Sequence, residues 1–214
     1  LCSEIALPDN EKWSFVCNLS SMNALHYDEW KDTDAVQTMI YFLDAVMSEF
    51  IEKLEAMRDS EDAEYRDAFH FMERAYNFAT ENRALGLGVL GWHSLLQSKM
   101  IAFESVEASL LNEEIHKIIS ERAKEASQEL ADLFGEPEVL KGTGFRNATT
   151  MAIAPTTSSA FIIGQVSQSI EPLFSNYYVK EMSKIKTTIK NKYLEDLLDK
   201  KGQNTAKVWD DIKN

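Results

Sequence analysis

Two stretches of this sequence combine residue types that could do chemistry on a phosphorylated substrate. At the start of the chain Cys2 precedes Glu4 by two residues. Residues two apart in an extended segment point the same way, so this thiol and this carboxylate would share one face. The second stretch is a proline followed by four hydroxyl residues: Pro155, Thr156, Thr157, Ser158 and Ser159. The first stretch offers a thiol beside a base, and the second offers groups that bind an anion.

The segment that begins at Pro155 is predicted to hold a phosphate at the amino terminus of a helix. Residues 151–154 are a short apolar run of strand type, and the proline ends any ladder there. The hydroxyl residues after it are types that cap helices, and a second apolar run covers 160–163. Unpaired N–H groups and the positive end of the helix dipole favour an anion at such a position. A Ser/Thr-rich cap without a ligand is the alternative left open.

Composition sets limits on the class of protein. The chain has 214 residues, enough for one domain and a small appendage, with 44% hydrophobic and 27% charged residues. The net charge of -13 argues against binding to nucleic acid or to an anionic membrane surface. No stretch reaches the roughly 20 apolar residues of a membrane helix, and no signal-peptide pattern occurs. Two cysteines do not make a disulfide scaffold, so we expect a cytoplasmic protein.

The charge is unevenly spread along the chain. Residues 28–73 are rich in Asp and Glu, whereas 180–192 carry a cluster of lysines. The lysine cluster would suit an acidic partner or form a solvated helix face, and the sequence leaves both interpretations open.

Hydrophobic periodicity predicts a helix-rich chain with a few short strands. A strong amphipathic helix starts at Asp34, with Asp32 or Thr33 as its cap. The predicted helices cover about 34–54, 65–80, 85–98, 104–134 and 193–200. The predicted extended segments cover 1–7, 14–20, 151–154 and 176–179. Gly135 and Pro137 end the longest helix, and 141–144 form a loop.

Four motifs together resemble the large subunit of class I ribonucleotide reductases. They are LCSEIALP, FVCNLS, NRALGLGVLGW and RNATTMAIAPTTSSAFIIGQVSQSIEP, and they occur in that family's order over 1 to about 180. The resemblance implies an α/β fold, namely the helix-rich part of a ten-stranded α/β barrel with a finger loop inside. It also implies that the chain is an interior piece of the subunit, since it begins inside a motif and not at a Met.

On this resemblance the chain divides into four regions. Residues 1–33 would hold the finger loop and the redox-cysteine strands, and 34–140 a helical region. Residues 141–180 would hold a strand and the phosphate-binding turn, and 181–214 a C-terminal helical extension.

The resemblance also implies roles for individual residues. Cys2 would carry a thiyl radical that abstracts the 3′ hydrogen of the ribose, and Glu4 would handle the proton of the 3′ hydroxyl. Leu1 and Ser3 would border the substrate beside them. Cys17 would be one of two cysteines that reduce the ribose and become a disulfide, with its partner upstream. The family's substrate site also uses an Asn immediately before the position of Leu1.

By the same resemblance Pro155, Thr156, Thr157, Ser158 and Ser159 would bind the diphosphate of a ribonucleoside diphosphate. Family members vary at the position that matches Thr157. No metal or cofactor is expected on this chain, because the radical comes from a metal-containing small subunit and allosteric nucleotides bind elsewhere. Further expected partners are thioredoxin or glutaredoxin and a second full subunit in a dimer. We expect no turnover from the chain alone.

Three other patterns are predicted to be structural. The GxGxxG pattern at 86–91 lacks the preceding strand that a dinucleotide site needs, so its glycines are predicted to allow close packing. His70 and Glu73 reverse the ExxH order of di-iron sites, and the histidines form no metal pattern. Tyr177 and Tyr178 come soon after the SIEP segment, whereas the family's tyrosine pair lies well downstream.

Two alternatives to a class I reductase remain at the level of sequence. The chain could be a non-catalytic helical scaffold, a relic of a split reductase gene. It could also belong to the class II enzymes, which take their radical from adenosylcobalamin, although PTTSSAFI looks closer to class I.

Overall fold

The structure is a computed structural model that describes residues 4–182 and 185–213. Leu1, Cys2 and Ser3, which carry part of the predicted site, lie outside the described residues.

Three long helices follow from apolar periodicity and from capping residues. After the short helix α1 (Tyr27–Trp30), α2 spans Ala35–Arg58 and α3 spans Ala63–Asn82. The longest helix, α5, spans Val106–Phe134. The predicted helices at 34–54, 65–80 and 104–134 are therefore confirmed.

The ends of these helices are fixed by side chains and by positive φ angles. The Asp62 carboxylate accepts from the N–H of Glu64 at 2.9 Å and begins α3. The Ser105 hydroxyl accepts from the N–H of Ala108 at 3.1 Å and begins α5. Gly135, at φ 82°, ends α5 as the sequence predicted. Before α2, Thr33 Oγ1 accepts from the N–H of Ala35 at 3.2 Å.

The prediction of one helix over 85–98 is wrong. Leu85–Leu90 form strand β2, in which every residue is buried, and only Trp92–Ser98 are helical (α4). Strand β2 lies parallel to β1 (Asn18–Asn23), with Asn18 opposite Leu85. An apolar run without polar positions is typical of a strand buried on both faces, and glycines disfavour a helix. Strand β1 also begins later than the predicted extended segment at 14–20.

The glycines of β2 allow a third extended segment of the chain to lie against the backbone of this strand. A Cβ at Gly88 would lie 2.0 Å from the carbonyl oxygen of Ala152, and one at Gly86 would lie 2.6 Å from the Cβ of Ala152. The predicted close packing of the GxGxxG glycines is confirmed. Met151 forms a parallel bridge with Leu87. The predicted strand at 151–154 is thus reduced to an extended segment that accompanies β2.

The core lies between this small sheet and the long helices. Helix α2 packs against α3, α5 and both strands. The largest fully buried side chains are Tyr27, Phe78, Ile40, Met47, Leu85, Leu87, Leu90, Leu95, Leu96, Ile115, Ile119 and Val36. No helix within the described ranges is long and apolar enough to cross a membrane.

The carboxyl-terminal part combines a hairpin with short helices. Helix α6 spans Thr157–Ile162, and β3 (Tyr177–Met182) pairs antiparallel with β4 (Ile185–Lys190). Helices α7 (Lys192–Lys200) and α8 (Ala206–Lys213) follow. The predicted strand at 176–179 and helix at 193–200 are confirmed within one or a few residues. The result is a helix-rich α/β fold, as predicted.

Candidate functional site

The segment from Pro155 to Ser159 leads from the sheet into α6, as predicted. Thr156 is the residue before the helix and adopts a left-handed conformation, with φ 49° and ψ 27°. Thr157, Ser158 and Ser159 form the first turn, and all three are exposed. The first N–H groups of a helix have no intrahelical acceptor and carry its positive dipole end. This turn can therefore donate several hydrogen bonds to an anion.

The hydroxyls of the two threonines are used inside the protein. The N–H of Ser169 donates to Thr156 Oγ1 at 2.8 Å, and Thr157 Oγ1 donates to Gln168 Oε1 at 3.2 Å. Thr156 makes no side-chain capping bond to α6. A left-handed β-branched residue costs about 1–3 kcal/mol, so the contact to Ser169 helps to hold a strained turn. The side chains of Ser158 and Ser159 are the better placed to reach a ligand.

A pair of buried serines joins the start of α4 to the chain that returns from α6. The N–H of Ser94 donates to Ser167 Oγ at 3.1 Å, and the N–H of Ser167 donates to Ser94 Oγ at 2.9 Å. The N–H groups of Gly91 and Trp92 donate to the carbonyls of Ser167 and Ser169 at 2.8 and 3.3 Å. These bonds fix the segment after α6 at the carboxyl end of β2. Sequence reasoning missed both serines, since an isolated serine gives no motif.

His93 holds the next part of the same segment. Its Nδ1 accepts from the N–H of Leu173 at 2.9 Å, and its ring lies edge-on to Phe103 at 5.6 Å. Burial lowers the pKa of His93, which favours the neutral ring that this hydrogen bond requires. Within the described ranges, no three His, Cys, Asp or Glu side chains are grouped so that they could hold a metal ion.

A buried ion network anchors the chain that leads to the third extended segment. The carboxylate of Asp44, on α2, accepts from Arg83 Nε, Arg146 Nε and Asn147 Nδ2, each at 2.9 Å. Burial alone would raise the pKa of Asp44, but the two guanidinium groups outweigh it and hold that pKa below its usual range. Arg83 ends α3 at φ 46°. The network thus joins α2, α3 and the residues just before 149–152. Sequence reasoning missed it as well.

The other predicted residues lie away from α6. Cys17 is exposed and directly precedes β1. Glu4 is half-buried in the chain before it. Because β1 and β2 are parallel, their amino ends lie at one edge of the sheet and their carboxyl ends at the other. Cys17 lies at the amino end of β1, whereas Thr156 lies beside the start of α4, at the carboxyl end of β2. Five residue steps separate these ends by roughly 17 Å, at ~3.3 Å a residue. The structure therefore does not bring Cys17 and the α6 turn into contact.

Comparison with known proteins gives consistent matches over the whole chain. The family model described as "Ribonucleotide reductase, barrel domain" matches residues 1–139 and 137–214. The large subunit of ribonucleoside-diphosphate reductase from Invertebrate iridescent virus 6 is 38% identical over 99% of this chain and 21% of its own length. The corresponding subunit of Invertebrate iridescent virus 3 is 36% identical over 100% of this chain and 32% of its own length.

A solved structure agrees with these sequence matches. The alpha subunit of a class Id ribonucleotide reductase from Actinobacillus ureae superposes with a TM-score of 0.84 at 53% identity, over 99% of this chain and 36% of that chain. The chain thus spans between about one fifth and just over one third of the length of these relatives.

Proposed function

The chain belongs to the ribonucleotide reductase barrel-domain family, and we propose that it forms part of the active site of a class I large subunit. That subunit would reduce ribonucleoside diphosphates to 2′-deoxyribonucleoside diphosphates. The observation that carries the proposal is the family match over the whole chain. The 53% identity to a class Id alpha subunit supports class I over the adenosylcobalamin-dependent class II.

Cys2 and Glu4 would start the chemistry. The Cys2 thiyl radical takes the hydrogen atom from C3′ and becomes a thiol, leaving a carbon radical. The Glu4 carboxylate takes the proton of the 3′ hydroxyl, and the 2′ hydroxyl leaves as water after it gains a proton from a thiol. A base beside the reacting ribose eases that loss. The radical itself would be generated by a metal-containing small subunit.

Cys17 would supply one of the two thiols that reduce the ribose. The two thiols supply two electrons and two protons and become a disulfide. Glu4 returns its proton to the 3′ oxygen, and Cys2 then returns its hydrogen atom to C3′, which restores the thiyl radical. Because the sequence has two cysteines and Cys2 carries the radical, the second reducing thiol would come from elsewhere in the full subunit. The exposure of Cys17 suits later reduction of this disulfide by thioredoxin or glutaredoxin.

The α6 turn would bind the diphosphate. The N–H groups of Thr157, Ser158 and Ser159 start a helix, and ligands of parallel α/β sheets bind beyond the carboxyl ends of the strands. Thr156 makes no capping bond to α6, which argues against a purely structural cap. With the diphosphate at this end and Cys17 at the other, the ribose would lie along β1 and β2.

The remaining proposals concern the setting of the full subunit. A dimeric large subunit would work with the small subunit in the cytoplasm, and allosteric nucleotides would bind outside this chain. We expect this chain to bind neither nucleic acid nor a membrane.

Assays on a full-length large subunit that contains this sequence, with its small subunit, test the proposal. Cys2→Ser is expected to abolish deoxyribonucleotide formation, because serine cannot form the radical. Cys17→Ser is expected to abolish turnover with thioredoxin. The distant exposed substitution Phe71→Ala serves as the matched control and is expected to retain activity. Turnover by Cys2→Ser above background would refute the assignment of the radical.

A further inference from the structure

A preformed cavity of about 390 Å³ lies beside α6, and the proposed reaction leaves it without a role. Its walls come from α6, the chain after it, the β3–β4 hairpin and the start of α7. Small-molecule sites in proteins typically enclose roughly 300–1,000 Å³. We refer to this space as the α6 cavity.

Buried hydrogen bonds hold the walls of the α6 cavity in place. The reciprocal pair of Ser94 and Ser167 fixes one wall, at 2.9 and 3.1 Å. Asn191, which is 5% exposed, fixes the opposite wall, where the hairpin lies. Its backbone N–H donates to the Asn176 carbonyl, and its side-chain amide to Asn176 Oδ1, each at 2.8 Å. Because these bonds lie within the protein, a ligand would meet the cavity already formed.

Aromatic side chains contribute to the lining alongside polar ones. Phe161, Phe174, Tyr178 and Tyr193 all contribute to it. The rings of Phe174 and Tyr178 lie 4.4 Å apart at an angle of 51°. Phe174 is 78% exposed, so its ring is available to a molecule in the cavity. Rings placed in this way favour a planar aromatic ligand over an aliphatic one.

Lysines outnumber carboxylates among the residues that line the α6 cavity. Lys190 and Lys192 line it against a single lining carboxylate, that of Glu171. Lys190 Nζ lies 3.7 Å from Glu195 and 4.8 Å from the centre of the Trp209 ring. Lys192 takes part in no ion pair with a described residue. These lysines belong to the cluster at 180–192, which is unusual in a chain with a net charge of -13.

We propose that the α6 cavity binds a small planar aromatic molecule with one negatively charged group, its ring against Phe174 and Tyr178 and its anion near Lys192. This site is separate from the proposed ribose and diphosphate site, although Thr157 belongs to the wall of one and to the turn of the other. The proposal does not depend on reductase activity.

The probe is naphthalene-2-carboxylate. Its binding to the 214-residue chain is followed by ¹H–¹⁵N NMR. Saturable shifts are expected at the side-chain amides of Gln165 and Gln168, which line the cavity. A ligand of this size predicts a Kd on the order of 1 mM. Naphthalene-2-methanol tests the charge, and cyclohexanecarboxylate tests the aromatic ring. Both are expected to bind more weakly than the probe.

Variants locate the binding. Phe174→Ala is expected to weaken binding of the probe by roughly three- to tenfold, from the loss of ring contacts. Lys192→Gln is expected to weaken it by roughly two- to fivefold, less so at high salt. Phe71→Ala, which removes a 90% exposed ring on α3, is the matched control and is expected to leave Kd unchanged.

Three results would overturn the proposal. One is the absence of saturable shifts up to roughly ten times the expected Kd. Another is equal affinity for the carboxylate and the neutral alcohol, which would remove the anionic class. The third is an equal effect of Phe174→Ala and Phe71→Ala, which would place the probe outside the cavity.

Discussion

The hydroxyl of Thr156 accepts a hydrogen bond from the backbone N–H of Ser169, with 2.8 Å between Oγ1 and N. This bond joins the strained residue before α6 to a segment that is itself bonded to the start of α4. The orientation of the α6 turn is therefore set by the carboxyl end of β2. Thr156 therefore positions the N–H groups of the next three residues, which are the proposed donors to the diphosphate.

Replacing this hydroxyl tests its role in shaping the turn. Thr156→Val keeps the shape and removes the acceptor, so the free energy of unfolding should fall by about 1 kcal/mol. Thr156→Ser keeps the acceptor and should lose less. Urea unfolding measures both variants, and amide hydrogen exchange of Ser169 should be faster in the valine variant alone. Equal exchange in the two variants would show that the hydrogen bond does not hold the turn.

The contact between β2 and the third extended segment predicts a severe effect at Gly88. A Cβ there would meet the Ala152 carbonyl oxygen at 2.0 Å, so the backbones must separate. Gly88→Ala should lower the free energy of unfolding by roughly 3 kcal/mol or more, since the overlap is with backbone. The control is Gly142→Ala, because a Cβ at Gly142 has no atom within 4 Å. Its positive φ of 82° should lower the free energy of unfolding by about 1 kcal/mol. Similar urea midpoints for the two variants would contradict the close approach.

Asp44 should dominate stability in acid. Its folded pKa lies below its ordinary 3.8, so its contribution is present above about pH 4 and is lost as the pH falls through the folded pKa. Asp44→Asn leaves two buried guanidinium groups without their carboxylate and should cost about 3–5 kcal/mol at pH 7. It should also flatten the acid limb of the stability curve.

The matched control for Asp44 is the exposed carboxylate of Asp28. Asp28 pairs with Lys31 and Lys99 at 3.2 and 2.7 Å, and its side chain is 57% exposed. Asp28→Asn should cost less than about 1 kcal/mol. A comparable loss in the two variants, measured by urea unfolding at pH 7, would rule out the buried network as a special anchor.

His93 should add a second, milder pH dependence. Burial lowers its folded pKa below the ordinary 6.5, so the unfolded chain takes up this proton first as the pH falls. The free energy of unfolding therefore decreases as the pH drops from about 6.5 towards the folded pKa, and is fully restored above 6.5. His93→Asn keeps an acceptor for the Leu173 N–H without titrating. The melting temperature should depend less on pH in this variant than in the unmodified chain between pH 5 and 8. An unchanged pH dependence would exclude His93 as its source.

The long helices could be predicted because their evidence is local. Apolar residues at helical spacing and caps such as Asp62 and Ser105 lie within each element. Strand β2 was predicted as a helix because an all-buried apolar run shows no alternation. Its glycines indicate a strand only once Ala152 is known to lie against them.

The site was predicted unevenly for the same reason. The α6 turn could be read from consecutive residues, whereas Asp44, Arg83 and Arg146 are spread over 102 positions. No sequence motif indicates that these three side chains are in contact. The hydrogen bond that the Thr156 hydroxyl accepts could not be predicted either, because its donor is the backbone N–H of Ser169. The roles of Cys2, Glu4 and Cys17 rest on family resemblance and remain proposals.

Titration of the chain with ADP, followed by ¹H–¹⁵N NMR, tests most directly whether the α6 turn binds a diphosphate. Binding of the diphosphate at this turn predicts saturable shifts of the amides of Thr157, Ser158 and Ser159 with ADP, and none at these amides with adenosine. It also predicts weaker ADP binding by Thr156→Val than by Thr156→Ser. Equal shifts with adenosine, or ADP-dependent shifts confined to other parts of the chain, would exclude the α6 turn as the diphosphate site.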